Sequence, residues 1–265
     1  MSKKDATMKK TTVADGFYLY TFADYSEAHS NTITALVSRR DSQGKRALII
    51  DPSYPEYAEQ VKSDLQTQGI TPEIIVLSHY HPDHAGGCAV LPQCRIYVHE
   101  QYEYNYDNCR VWEPGYTYLR PTHLIRGGDS LSFGDFTLKF HYAPGHSRCS
   151  IITGINGKTI QVGDLLMMGV DRKNTLPYIA DGGSFEEHIK SLELIKELGP
   201  EAIILPHGGS IDNKNIIRDL VDDRVYYLEQ VLNSKGALPV EKCLKNDISR
   251  YGNLEFHDTN IIYLL

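Results

Sequence analysis

No run of lysine or arginine in this 265-residue chain is longer than two residues, as at Lys3-Lys4 and Lys9-Lys10. Acidic residues outnumber basic ones by 34 to 27, for a formal net charge of −7. A nucleic-acid surface needs clustered cations to displace counterions from phosphates, so no nucleic-acid partner is expected. No stretch approaches the roughly 18 apolar residues that span a bilayer. Met1–Thr12 is polar and lacks the apolar core of a secretory signal. The expectation is a cytoplasmic protein with no membrane partner. Cysteine is scarce: five residues (Cys88, Cys94, Cys109, Cys149, Cys243), an odd number without framework spacing. That excludes a disulfide scaffold and fits a reducing compartment. There is no Gly-x-Ser-x-Gly elbow to present a serine nucleophile.

What is present is an alternation of strand and helix signals. Phe17–Phe22, Asn31–Val37 and Arg46–Ile50 read as strands, with a hairpin turn marked by Ser42-Gln43-Gly44. An amphipathic helix follows over Tyr54–Gln68, stopped by Gly69. Glu73–Leu77 and Arg95–His99 are strands, Leu131–Phe133 and Phe136–His141 form a hairpin, and Ser150–Ile155 and Lys158–Val162 flank Asn156-Gly157, the strongest hairpin signal in the chain. Ser184 with Glu187 three residues on is a capping box for a helix to Leu198. Ala202–Leu205 is a strand and Asn213–Ser234 a long helix. Two strand-rich halves, meeting near residues 130–145, predict two sheets packed face to face with helices outside. Residues 13–265 are expected to form one domain, with 1–12 a polar tail and 236–265 an extension packed on it. A chain of this length buries a sizeable core, so a metal would serve chemistry rather than hold the fold together.

The chemistry concentrates at Ser78-His79-Tyr80-His81-Pro82-Asp83-His84-Ala85-Gly86-Gly87, directly after the apolar run Ile74–Leu77. Neutral imidazole and carboxylate are the donors that first-row divalent metals select. Further candidates recur just beyond other predicted strands: Asp51 after Ile50, His146 after Pro144-Gly145, Asp164 after Gly163, and His207 after Pro206. Strand ends are rigid and their loops converge on one rim, so these residues can meet.

The order H-x-H-x-D-H, Pro-Gly-His, Gly-Asp and a strand-terminal histidine resembles the metallo-β-lactamase-fold superfamily, over roughly Phe17 to Ser234. The resemblance implies an α/β fold, a four-layer αββα sandwich, with a dinuclear metal site on the shared edge of its sheets. By the same resemblance His79, His81 and His146 look like ligands of a first ion and Asp83, His84 and His207 of a second, with Asp164 bridging. Asp51 then matches an aspartate that orients a ligand histidine, besides being a turn former before Pro52. The expected cofactors are two divalent ions, zinc first, with iron or manganese also accommodated by such donors. The implied activity is hydrolysis by a metal-bridging hydroxide, with Asp83 both ligand and proton carrier.

Aspartate rather than cysteine or serine at 164 points away from β-lactams, towards the glyoxalase II-like and lactonase-like branches. The expected reaction is therefore cleavage of a carboxylic ester, thioester or lactone. A phosphodiesterase, a β-lactam hydrolase or an iron-loaded redox protein of the same fold are the alternatives. Leu165–Met168 holds no tyrosine where some lactonase-like members place a substrate-polarising one, and Tyr178 is offered in its stead. Tyr102–Tyr118 carries five tyrosines and the sole tryptophan, Trp112. It reads either as an aromatic lid or wall over the cleft, for an apolar or aromatic part of a small-molecule substrate, or as a cover for the sandwich edge or a homodimer contact. Met167 and Met168 are candidates for the same pocket or for the core, and Cys149 is the thiol nearest His146 in sequence.

Overall fold

The computed structural model describes residues 6–24, 29–38, 44–179 and 182–264. Among the described residues a seven-stranded sheet runs in the order β1 (Met8–Ala14), β2 (Phe17–Asp24), β3 (His29–Val37), β4 (Lys45–Ile50), β5 (Ile70–Val76), β6 (Arg95–His99) and β7 (His123–Ile125). A six-stranded sheet follows the order β14 (Gly209–Ile211), β13 (Ala202–Leu205), β11 (Thr159–Gln161), β10 (Ile151–Ile155), β9 (Phe136–Tyr142) and β8 (Ser130–Phe133). The predicted boundary near 130–145 thus lies just inside the second sheet. The polar tail expected over 1–12 is corrected from Met8 onward. Met8–Thr12 lie in β1, an edge strand whose exposed polar side chains are what an unprotected sheet edge requires. The Ser42-Gln43-Gly44 turn falls mostly on residues 39–43, outside the described ones.

The four layers follow from where apolar side chains point. Phe17, Leu19, Leu36, Leu48, Ile50, Ile74 and Val76 of the first sheet meet Phe136, Leu138, Phe140, Ile151, Ile155 and Ile204 of the second. Alternate residues of the same strands, such as Tyr20, Phe22, Ile49 and Ile75, pack on the other side against α1 (Pro55–Thr67) and α3 (Glu103–Trp112). Strand β4 is therefore apolar at successive positions, because it is buried on both faces. The second sheet's outer face packs on α4 (Phe185–Leu198) and α5 (Lys214–Ser234). Ser184 caps α4 by accepting from the Glu187 N–H, as the sequence predicts. At Asn156-Gly157 both residues take positive φ, 51° and 68°, which these two residue types accept with little strain.

The C-terminal segment joins the same outer layer. It carries α6 (Val240–Cys243), β15 (Tyr251–Gly252), paired with β12 (Asn174–Thr175), and α7 (Phe256–Leu264). Asn174 and Asn246 donate to opposite oxygens of buried Asp223, at 3.2 and 2.9 Å, and the Tyr251 hydroxyl also donates to Asp223. Asn260 accepts from the Ile179 N–H and donates to the Pro177 carbonyl, each at 2.8 Å. Residues 174–179 are thereby fastened to the C-terminal segment. No helix among the described residues is long and apolar enough to cross a membrane.

Candidate metal centre

Strands β9, β11 and β13 run the same way, because β10 is antiparallel to both β9 and β11 while β11 and β13 are parallel. Their C-terminal ends share one edge of the second sheet, and parallel β4 and β5 end together on the first. The edges are stitched by Ile151 N–H to Ser78 O (2.8 Å) and Thr32 N–H to Pro206 O (2.7 Å). This places all seven expected ligands at one rim. His79 follows β5, and the short helix α2 (Pro82–Ala85) turns Asp83 and His84 back towards it. His146, Asp164 and His207 arrive from the loops after β9, β11 and β13.

Two groups of potential ligand atoms result, His79, His81 and His146 in one, and Asp83, His84, Asp164 and His207 in the other. Within each group the atoms lie within 4.8 Å of one another. His81 Nδ1 is 3.0 Å from His79 Nε2 and 3.1 Å from His146 Nε2. One proton cannot satisfy three ring nitrogens that converge in this way, whereas an electrophile in their midst can accept all three lone pairs. Asp164 faces both groups. Its Oδ2 is 3.7 Å from His146 Nε2, 3.9 Å from His79 Nε2 and 3.4 Å from His207 Nε2. Its Oδ1 and His84 Nε2 lie 3.4 Å apart, are buried, and have no hydrogen-bond partner. Buried polar atoms without partners are costly, and here they are aimed at the point a cation would occupy. The residues present fit divalent metal.

The outer nitrogens of these rings are fixed by distinct partners. His79 Nδ1 meets Ser78 Oγ at 3.0 Å, His146 Nδ1 donates to the Tyr178 carbonyl at 2.9 Å, and His207 Nδ1 donates to the Ser30 carbonyl at 3.0 Å. His84 Nδ1 is 3.2 Å from Asp51 Oδ2. Asp51 is itself held by the Ser78 N–H (2.7 Å) and Gln161 Nε2 (2.6 Å). Asp51 takes φ 51° at the strand end, as a turn former before Pro52 does, and it also contacts His84.

Electrostatics divide the two groups. Burial, with the neighbouring His84, holds His79 well below its ordinary value. Burial and His146 bring His81 down to about 3, so these rings are neutral. Burial opposes charge at His207 too, but Asp164 and Asp83 outweigh it and push the ring up to about 10. Burial would raise the Asp164 carboxyl, yet His207 and His84 hold it well below the carboxylate range. Asp83 has the most solvent-accessible carboxylate of the site, at 21% against 6% for Asp164.

A cleft of about 170 Å³ opens on the rim, lined by His81, Asp83, His146, Asp164 and His207, and by Met167, Thr175, Tyr178, Asn253 and Phe256. None of the aromatic residues of Tyr102–Tyr118 lines it. Tyr102, Tyr106 and Tyr118 are buried in the outer core of the first sheet, and Trp112 stands edge-on to His81 at 5.1 Å. Residues 103–112 of the segment form α3, which stands behind His81 rather than over the cleft. Met167 lines the cleft and Met168 belongs to the core. Cys149 is buried, its thiol pushed up to about 11 by burial, and accepts from the Tyr80 N–H at 3.2 Å. The sequence offered no signal for Asn253 and Phe256, which lie about fifty residues beyond His207 and come to the cleft only through the C-terminal anchors.

The sequence matches a family model, Lactamase_B, described as the metallo-beta-lactamase superfamily, over residues 34–207. A hydroxyacylglutathione hydrolase of Xanthomonas euvesicatoria is 28% identical over 139 residues, 51% of this chain and 49% of that protein. A beta-lactamase-like protein 2 homolog of Drosophila melanogaster is 24% identical over 202 residues, 70% of this chain and 60% of its own. The chain spans about half the length of the first curated relatives it matches. Among solved structures, a metallo-beta-lactamase family protein from Thermus thermophilus superposes with TM-score 0.67 at 16% identity, covering 86% of this chain and 84% of that one. A metallo-beta-lactamase motif mutant from Cronobacter sakazakii gives TM-score 0.68 at 16% identity, covering 88% and 100%. At such identities the likeness is one of fold.

Proposed function

Because the chain belongs to the metallo-beta-lactamase superfamily, we propose that it is a metal-dependent hydrolase of a carboxylic ester, thioester or lactone. The observation that carries this reading is the pair of ligand groups with Asp164 facing both. His79, His81 and His146 would hold one divalent ion, Asp83, His84 and His207 a second, with Asp164 between them. Neutral imidazole and carboxylate suit zinc, with iron and manganese the alternatives. Bound there, two such ions would polarise a carbonyl oxygen and lower the pKa of water from 15.7 to about 7.

The protein's own groups do the rest. Asp83 is ionised and is the most solvent-accessible carboxylate at the cleft, so it can take a proton at Oδ and pass it to the leaving group. Its carboxyl is held below the usual range because His84 and His207 outweigh the effect of burial. Tyr178 and Phe256, with ring centroids 4.9 Å apart, and Met167 make an apolar wall that orients the acyl portion. No lysine or arginine is among the lining residues, which favours a neutral acyl group. The thioester among the three substrate classes is supported by relatives named as hydroxyacylglutathione hydrolases.

The test is a panel of thioesters, lactones and aryl esters with the metal-loaded protein. Turnover should vanish on chelation and return with added zinc, iron or manganese. Failure of every substrate by a fully loaded protein would overturn the reading. Phe256→Ala should raise KM for bulky apolar acyl groups by roughly tenfold, the worth of about 1.5 kcal/mol of lost apolar contact. Metal content should stay unchanged, and an equal KM for small and bulky acyl groups would remove Phe256 from the substrate wall.

A further inference from the structure

Four of the five site histidines present an outer ring nitrogen to an oxygen: Ser78 Oγ for His79, Asp51 for His84, and the carbonyls of Tyr178 and Ser30 for His146 and His207. In the neutral ring that a metal binds, an oxygen acceptor there fixes the N–H outward and leaves the lone pair on the inner nitrogen. His81 is turned the other way round, with Nδ1 inward and Nε2 outward, and its outer partner is the side-chain amide of Asn105 on α3. Asn105 is fully buried, its Nδ2 3.3 Å from His81 Nε2 and its Oδ1 3.5 Å from Cys149 Sγ.

A nitrogen-to-nitrogen contact requires that His81 Nε2 carry the lone pair, which places the ring proton on Nδ1, in the centre. An ion held by His79, His81 and His146 needs that lone pair on Nδ1, so Nε2 must carry the hydrogen and must donate it. A half-turn of the Asn105 amide exchanges its oxygen and nitrogen in place. The carbonyl then accepts from His81 Nε2–H, and Nδ2–H donates to Cys149 Sγ, which already accepts from the Tyr80 N–H. The thiol hydrogen turns to Ser147 Oγ, 3.6 Å away. Every buried group in the chain Tyr80, Cys149, Asn105 and His81 keeps a partner in this arrangement.

We propose that Asn105 is a positioning residue that presents its carbonyl to His81 Nε2–H and so turns the Nδ1 lone pair towards the metal, with Cys149 holding the amide in that orientation. This inference rests on the proposed metal centre, but not on any particular substrate. It also gives the tyrosine-rich helix a role at the site: α3 sets the ligand it stands behind, through Asn105 and the edge-on Trp112.

The experiment uses the zinc-loaded full chain. Long-range proton–nitrogen NMR of its histidines should show His81 protonated at Nε2, with that hydrogen slow to exchange. Asn105→Leu, close in volume but without an acceptor, should weaken zinc binding in a chelator competition by about 10–100-fold, the usual effect of losing such a partner. Asn105→Asp, which keeps an oxygen towards His81, should retain near wild-type affinity and the slow proton. Melting of the chelated proteins separates a cost to the fold from a cost to the metal. Protonation of His81 at Nδ1 in the loaded wild type would overturn the proposal, as would equal weakening by Leu and Asp. A wild type that binds no zinc would instead sink the metal centre itself, and this inference with it. If Asn105→Leu does not fold, the wild-type spectrum and the Asp variant decide.

Discussion

Asp164→Asn is expected to lower turnover on the order of a thousand-fold or more, and to leave the protein with fewer bound ions than the wild type. The substitution keeps the shape of the side chain and removes its charge. In the wild-type chain Oδ2 lies within 3.9 Å of inner nitrogens from both histidine groups, and Oδ1 is buried with no hydrogen-bond partner. An amide can supply one neutral oxygen to that place, but its nitrogen must then face a ring nitrogen or a cation. Polarisation by a bound ion contributes several kcal/mol to the transition state, and each 1.36 kcal/mol is tenfold in rate. Elemental analysis after gel filtration measures the ions and steady-state hydrolysis the rate. A variant that keeps both the full metal content and a turnover within a few-fold of wild type would remove Asp164 from the centre.

The candidate site stood out in the sequence more sharply than parts of the fold around it, for a physical reason. Ligand chemistry admits few residue types, so His79, His81, Asp83 and His84 stand out as candidates within six positions, and His146, Asp164 and His207 each follow an apolar strand. Asp51 was readable by the same logic, at the end of β4. Asn105 carried no such signal, because an amide buried behind a ligand looks in sequence like any polar residue on a helix. The central strands were legible because double burial makes them continuously apolar, as at Ala47–Ile50. Strand β1 was not, since an edge strand with Lys9, Lys10, Thr11 and Thr12 in succession has the composition of a solvated tail. The tyrosines of Tyr102–Tyr118 left two readings open, and the packing fits the one in which they cover the sandwich. Composition reports that rings need cover, and Tyr80, Tyr102 and Tyr106 cover one another in the core, whereas the cleft takes its rings from Tyr178 and Phe256.

Gly145→Ala is expected to be the most damaging single-methyl change at the rim, because it meets two costs at once. Gly145 has φ +131°, and a Cβ built there lies 2.2 Å from both the N and Cα of His188. The loop cannot easily retreat. The Ser184 N–H donates to the Gly145 carbonyl at 3.0 Å, and Ser191 Oγ donates to the Pro144 carbonyl at 2.6 Å. Nor can α4 retreat, since Phe185, Leu192 and Ile195 are locked into the outer core of the second sheet. Backbone strain of about 1–3 kcal/mol therefore adds to overpacking of about 1–3 kcal/mol. For a chain of this size that lowers Tm by roughly 5–20 °C. Gly157→Ala supplies the comparison, because Gly157 also has a positive φ, +68°, but has nothing within 4 Å of its Cβ position. It should lose only the strain, on the order of 1 kcal/mol. The two variants should differ at the centre as well. Any shift of the loop that makes room for the added methyl moves His146, the next residue, away from His81 Nδ1 and the Tyr178 carbonyl. Metal affinity should therefore fall in Gly145→Ala and stay at the wild-type level in Gly157→Ala. Equal melting temperatures for the two, or unchanged affinity in the first, would show that the approach of this loop to α4 does not hold His146 in place.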